Sequence, residues 1–404
     1  MTKTGLSAAR LERLHDILTG YVERGAAPGL VALVSRRGAT HVATLGSMAL
    51  DSDDPMQRDT IFRIASMTKP ITAAATMSLV EECRLRLDDP VNELLPELAD
   101  RRVLKRIDGP VDDTEPAQRP LTTRDLLAFT AGYGIVLAPP GTYPIQDAID
   151  ELGIIGFGPP DPTKSHASDE WMARLGTLPL FHQPGEQWLY NTGSYILGVL
   201  IERASGRSFE DFLRERIFEP LGMRDTGFSV PAGKLDRLSA SYWTNGETGA
   251  LDLFDAAAES YLRQPPAFPD GGGGLVSTVD DMLAFGLMLL GEGVYEGQRI
   301  LSRPSVELMM SDQLTPEQRA ASPGIEFILG NHSWGFGGQV ITRREQVAFA
   351  PGTYGWSGGF GTTWYCDPAE AMMTILMTQA SMTAATGPVI FQDFWTAAYA
   401  AIDD

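Results

Sequence analysis

Two serines in this sequence stand in patterns that support nucleophilic catalysis. The first is Ser66, in "FRIASMTKPITAAATMSLVEE", where Ser66-Met67-Thr68-Lys69 spells S-x-x-K. Residues three apart share one face of a helix, so a hydroxyl and an amine at those positions can meet. Pro70 is tolerated only in a first turn, which sets the helix start close to Ser66. At such a start, backbone N–H groups and the positive end of the helix dipole favour developing negative charge. A lysine held partly out of water loses proton affinity and can take the hydroxyl proton. That is nucleophile activation without histidine. An N-cap serine followed by an exposed lysine would show the same four letters, so the motif needs its surroundings. Among only five lysines (Lys3, Lys69, Lys105, Lys164 and Lys234), one kept at this spacing adds weight.

The second is Ser357, in "TYGWSGGFGTTWY", where Gly355 to Gly359 spell G-x-S-x-G. That elbow requires a strand before the serine, a helix after it, and the acid and histidine later in the chain. The residues after Ser357 have strand and turn character instead. All five histidines (His15, His41, His166, His182 and His332) precede it. The required order is impossible, and in a chain with 42 glycines the match reads as coincidence.

The elements that must position Ser66 emerge from periodicity. Residues 6 to 24 carry Leu11, Leu14, Leu18, Tyr21 and Val22 at helical spacing. "GLVALVSRRGATHVATLG" reads as two strands joined by a turn near Arg37-Gly38. Past Ser66, helical patterns dominate to about residue 225, clearest in "TTRDLLAFT", "DEWMARLGTLPLF" and "GSYILGVLIERASGRSFEDFLRERIF". Between them runs an apolar, Pro- and Gly-rich loop over roughly residues 134 to 165, whose Tyr, Phe and Ile content favours packing over disorder. "DGGGGLVSTVDDMLAFGLMLL" turns from glycines into a helix N-capped near Ser277 or Thr278. Strand candidates come next at "WGFGGQVI", "GTTWYCD" and "AMMTILMTQ". A last helix, "VIFQDFWTAAYAAI", sets Phe391, Phe394, Trp395, Ala398 and Tyr399 on one stripe. Strands at both chain ends with helices between predict an α+β fold: an antiparallel sheet flanked by N- and C-terminal helices, with a mainly helical domain inserted. The expected division is an α/β domain of residues 1–80 and 275–404 and a helical domain of residues 81–274, the active site lying at their interface.

Composition narrows the partners. A net charge of −20 opposes binding to nucleic acid or to an anionic membrane surface. No run of 18 apolar residues predicts a transmembrane helix, and the N-terminus lacks an apolar signal core, so a cytoplasmic location is expected. Cys83 and Cys366 are too few for a disulfide framework or a zinc site, and each reads as a buried apolar side chain. No metal and no cofactor are expected.

"IASMTKP", "TTRDLLAFTAGYG", "PGEQWLYNTGSYILGVLIERASG", "EPLGMRDTGF", "GGGGLVSTVDDMLAF" and "GWSGGFGTTWYCDP" occur in one order that resembles the serine β-lactamase/DD-peptidase superfamily. Within it, the resemblance is to the class C β-lactamase-like carboxylesterases called family VIII esterases, over roughly residues 8 to 400. The resemblance implies a β-lactamase/transpeptidase-like fold and a serine carboxylesterase hydrolysing small to medium acyl esters through an acyl-enzyme on Ser66. Lys69 would be the proton-transfer partner. Tyr190, in "QWLYNT", would pass the proton to the leaving group, with Lys69 lowering its proton affinity. Neighbouring Tyr195 lies off the motif and reads as helix packing. The backbone N–H groups of Ser66 and Gly359 would form the oxyanion hole, and Trp356, Ser357 and Gly358 the substrate-binding strand. Two departures separate this chain from the lactamases. The Y-x-N motif is broken, because Asn191 and Thr192 come after Tyr190, and K-T-G gives way to Trp356-Ser357-Gly358. Trp356 then replaces a cation by an apolar plane, which favours apolar acyl or alcohol groups. A β-lactamase or DD-peptidase, or an acyltransferase using the same acyl-enzyme, is the alternative.

Overall fold

The computed structural model describes residues 5–154, 166–384 and 387–404. Part of the Pro- and Gly-rich span, residues 155–165, therefore lies outside the described residues. The elements that matter here are α1 (Ala8–Glu23), β1 (Gly29–Arg36), β2 (Ala39–Gly46), α2 (Thr68–Glu81), α3 (Thr192–Ser205), α4 (Val279–Leu290), β3 (Ser333–Trp334), β4 (Gln339–Val340), β5 (Tyr354–Gly358), β6 (Thr362–Asp367), β7 (Met372–Thr378) and α5 (Val389–Ala400).

One sheet joins the chain ends, in the order β3-β4-β5-β6-β7-β1-β2, antiparallel throughout. β1 is buried along its whole length, because it has a strand on each side and side chains packed on each face. Arg37 and Gly38 both have positive φ, 50° and 81°, the backbone of a two-residue hairpin turn. Alternation then sorts the side chains. Leu30, Ala32, Val34, Leu376 and Tyr365 meet Leu14 and Leu18 of α1 and Phe391 and Phe394 of α5. Val31, Leu33, Met373 and Ile375 face the opposite layer, which holds α2, α3 and α4.

Helix α2 is enclosed from Thr68 to Leu79, so its apolar residues run around it rather than along one stripe. It packs against α3. Thr278 caps α4, its Oγ1 accepting from the Asp281 N–H at 3.2 Å. No described helix is long and apolar enough to cross a membrane.

Several local expectations change. The segment from Gly193 to Phe218 breaks after α3, and a second helix starts where Ser208 Oγ accepts from Asp211 N–H. Within the span expected to be loop, Pro144–Leu152 is a helix, with Pro144 at its first turn and the Gln146 side chain accepting from the Tyr143 N–H. "WGFGGQVI" is a tight hairpin of two short strands. A further hairpin, Ser241–Thr244 with Leu251–Asp255, stands outside the main sheet. Cys366 is buried, but Cys83 is exposed: it sits just past α2 at φ 56°, in a turn that faces water.

Candidate active site

Ser66 occupies a single 3-10 turn, Ala65–Met67, that runs directly into α2. The residue before it, Ala65, has φ 44°. A non-glycine residue held there costs roughly 1–3 kcal/mol and persists only where its surroundings fix it. Here the preceding Ile64 is tied on both sides, its N–H donating to Leu275 O at 3.1 Å and its carbonyl accepting from Thr362 Oγ1 at 3.2 Å.

Three side chains converge on the serine. Lys69, with none of its side chain exposed, donates from Nζ to Ser66 Oγ at 2.9 Å and to the Gly272 carbonyl at 2.6 Å. Tyr190 Oη donates to Ser66 Oγ at 3.0 Å. Trp356 Nε1 donates in turn to Tyr190 Oη at 2.7 Å. Lys69 Nζ also lies 4.8 Å from the centre of the Tyr190 ring.

Burial sets the proton affinities. Desolvation pushes Lys69 down from 10.5 to about 7, opposed by the nearby Asp270 charge. The same effect pushes the Tyr190 phenol up to about 12, partly offset by its hydrogen bonds with Ser66 and Trp356. The expectation that Tyr190 has a lowered proton affinity is therefore reversed. A buried phenolate is costly, whereas a buried amine is more easily neutral.

The β5 strand distributes its three motif residues differently from the sequence reading. Trp356 points into an aromatic cluster with Phe129, Trp188 and Trp334 and bears on Tyr190, its ring 5.7 Å away. It is not only an apolar plane, because its N–H is a hydrogen-bond donor to the tyrosine. Ser357 lies on the other face and donates to Thr363 Oγ1 at 2.9 Å. Gly358 does not line the cavity. A Cβ there would overlap the Ile64 carbonyl and Thr362 Oγ1, so the glycine lets β5 press against the segment leading to Ser66. At Gly359 a Cβ would meet nothing within 4 Å, and this residue does border the cavity with Ser66, Trp356 and Ser357.

That cavity encloses about 1250 Å³ and is walled mainly by apolar and aromatic groups, among them Ile135, Ile154, Trp171, Phe268 and Phe360. Two polar residues in its wall escaped the sequence reading. Asp270 closes the glycine turn, its Oδ1 accepting from the Gly272 N–H at 2.6 Å, and burial raises its proton affinity. Asn191 has φ 90° and ψ −57° and donates from Nδ2 to Tyr195 Oη at 2.9 Å. An amide is thus present in the wall, one residue earlier than Y-x-N would put it. Tyr195 also borders the cavity instead of only packing its helix. The signal for Asp270 was its place directly before four glycines, whose N–H groups a carboxylate can collect. Among the described residues, no three His, Cys, Asp or Glu side chains are placed to hold a metal ion.

The chain is 39% identical over 368 residues to Protein Rv1367c of Mycobacterium tuberculosis, covering 88% of this chain and 87% of that one. It is 28% identical to Esterase EstB of Burkholderia gladioli, covering 96% and 95%. Among solved structures, EstCE1, described as a hydrolase with promiscuous acyltransferase activity, superposes with a TM-score of 0.78 at 24% identity, covering 97% and 98%, which shows a shared fold. The family model described as Beta-lactamase matches residues 14–389, and with the ordered motifs and the serine–lysine–tyrosine cluster on one enclosed helix start, the chain belongs to the Beta-lactamase family.

Proposed function

We propose that this protein is a serine carboxylesterase that acts through an acyl-enzyme on Ser66. One observation carries the reading: Ser66 Oγ lies within hydrogen-bond distance of both a deeply buried lysine amine and a tyrosine hydroxyl. Lys69, made a weak base by burial, takes the Ser66 proton as Oγ attacks the ester carbonyl. The N–H groups of Ser66 and Gly359 receive the developing oxyanion. Tyr190 gives its proton to the departing alkoxide and is restored through Lys69, while the Trp356 N–H stabilises its oxygen in the interval. Water then enters by the reverse path and releases the acid. The reacting groups come from both proposed domains: Ser66, Lys69 and Trp356 from one, Tyr190 and the Asp270 turn from the other.

The cavity volume accommodates small to medium acyl esters with room to spare, since sites for drug-sized ligands span about 300–1,000 Å³. A butyrate ester fills a small part of it, leaving room for a bulky alcohol. The same space and the description of EstCE1 also favour acyl transfer to an alcohol as a second reading. Lactamase activity is disfavoured, because the place of the K-T-G lysine holds Trp356. A chromogenic cephalosporin should be turned over far more slowly than p-nitrophenyl butyrate by the same enzyme. A kcat/KM for the cephalosporin equal to that for the ester would reverse the assignment.

The direct test is labelling with a fluorophosphonate followed by peptide mapping, alongside two alanine variants. The label should sit on Ser66. Ser66→Ala should lose ester hydrolysis by several orders of magnitude, and Ser357→Ala should keep most of it. Label on Ser357, or an active Ser66→Ala, would sink the reading.

A further inference from the structure

Gly272 is where three groups outside the reacting triad meet. A Cβ built on it would lie 3.2 Å from Asp270 Oδ1, 3.4 Å from Asn191 Oδ1 and 3.4 Å from Tyr195 Cε2. All of these residues border the cavity. The amide of Asn191 is oriented, because Nδ2 donates to Tyr195 Oη, and its oxygen is left toward Gly272. Asp270 is held by backbone N–H groups of the glycine turn. Among the described residues, no lysine, arginine or histidine nitrogen lies within ion-pair distance of its carboxylate. Arg63, at the cavity wall, is paired with Asp255 and also donates to Ser260 Oγ and the Ser239 carbonyl. Beside this spot stand three near-parallel rings. Phe268 stacks on Trp171 with centroids 5.0 Å apart and on Tyr195 at 6.3 Å.

A carboxylate, an amide oxygen and aromatic rings are all negative partners. They attract a positive charge and repel a carboxylate. We propose that Asp270, Asn191 and Tyr195 form a subsite for an ammonium group carried by the substrate, so that cationic esters are preferred over neutral ones of the same shape and anionic esters are rejected. The proposal rests on the esterase reading and names a substrate class for it.

The subsite is joined to the chemistry through one peptide unit. Asp270 takes the N–H of Gly272, and Lys69 donates to its carbonyl. Asp270 and Lys69 act on each other through charge, the carboxylate raising the proton affinity of the amine. A substrate ammonium placed at Asp270 takes over that compensation. Lys69 can then be neutral, the state in which it accepts the Ser66 proton. Binding of the preferred substrate thus frees the base.

The test compares butyrylcholine with 3,3-dimethylbutyl butyrate, which replaces the ammonium nitrogen by carbon at constant shape. The wild type should favour the choline ester by at least about tenfold in kcat/KM, the scale of one unscreened charge contact at partly buried range. Asp270→Asn keeps an acceptor for the Gly272 N–H and removes the charge, together with the second acceptor that faces the Gly273 N–H. It should bring the ratio close to one, mainly by raising KM for the choline ester. A wild-type ratio at or below one, or a ratio unchanged in Asp270→Asn, overturns the subsite. Should the variant not fold or turn over, the wild type decides alone: choline should inhibit p-nitrophenyl butyrate hydrolysis at lower concentration than 3,3-dimethylbutan-1-ol, and equal inhibition overturns the proposal. Absence of p-nitrophenyl butyrate hydrolysis would instead refute the esterase reading, so the two failures are distinguishable.

Discussion

Ser66 Oγ accepts from Lys69 and Tyr190 together, so the two groups proposed to handle its proton meet at one oxygen. Lys69→Ala and Tyr190→Phe should each slow acylation by about 10²-fold or more. Because they serve one path, the double variant should lose much less than the product of the single losses. Fully multiplicative losses in pre-steady-state acylation rates would show two independent roles. With Lys69 as the proposed base, the acid limb of kcat/KM should follow its titration. The neutral amine is the active form, so activity rises with pH through about 7 and is lost below it. A limb near the ordinary lysine value would mean that the amine is not desolvated in solution. The serine–lysine pair was legible in the sequence because i and i+3 on a helix is a local relation. Tyr190 and Trp356 were legible only through motif order. The donor role of Trp356 was not, since it depends on which face of β5 meets Tyr190. Asp270 and Asn191 were missed because a turn and a left-handed residue bring them to the wall, and neither feature has a period.

At the level of elements, β5 and the Ile64–Ser66 segment are fitted backbone to backbone. Gly358→Ala should force them apart, since its methyl group would overlap the Ile64 carbonyl that Thr362 also holds. The expected result is a large loss of kcat with less change in KM, together with a lowered thermal midpoint. Gly359→Ala is the control for the neighbouring position, where a Cβ meets nothing within 4 Å, and it should fold with wild-type stability. Equal destabilisation by both would show that the overlap is not what matters. The same fit explains what periodicity did and did not give. β1, β6, β7 and the terminal helices were visible because they bury long regular faces, and β2 because a two-residue turn returns the chain beside β1. The helix at Pro144–Leu152 was hidden inside a span whose Pro and Gly content reads as loop, although Pro144 serves as a first-turn residue. The main break in the 193–218 segment came from a Ser208 cap that the continuous apolar pattern obscured.

Across the whole molecule, the two chain ends are bound into one layer. The Ser7 N–H donates to Ala401 O at 2.8 Å, Tyr21 Oη to Asp393 Oδ2 at 2.6 Å, and Tyr399 Oη to Asp367 Oδ2 at 2.8 Å. Phe394, fully buried between α5 and the sheet, belongs to this layer and touches nothing in the cavity. Phe394→Ala should cost about 3–5 kcal/mol. It should lower the denaturation midpoint while the remaining folded enzyme keeps its kcat. A lost kcat at full stability would mean that the layer acts on the site directly. The sheet order carries a consequence for how the protein comes into being. β1 is translated near the start, yet its partner on one side is β7, with Leu30 opposite Thr378. A nascent chain therefore holds Ser66, Lys69 and Tyr190 long before the strand that completes the sheet leaves the ribosome. Until then β1 has one open edge and apolar side chains on both faces. Pairings so distant in sequence form slowly, and exposed strand edges of this kind invite association. Maturation is thus a late, all-at-once event that depends on the last part of the message, and a chain stalled before β7 would be a client for chaperones instead of a slow enzyme.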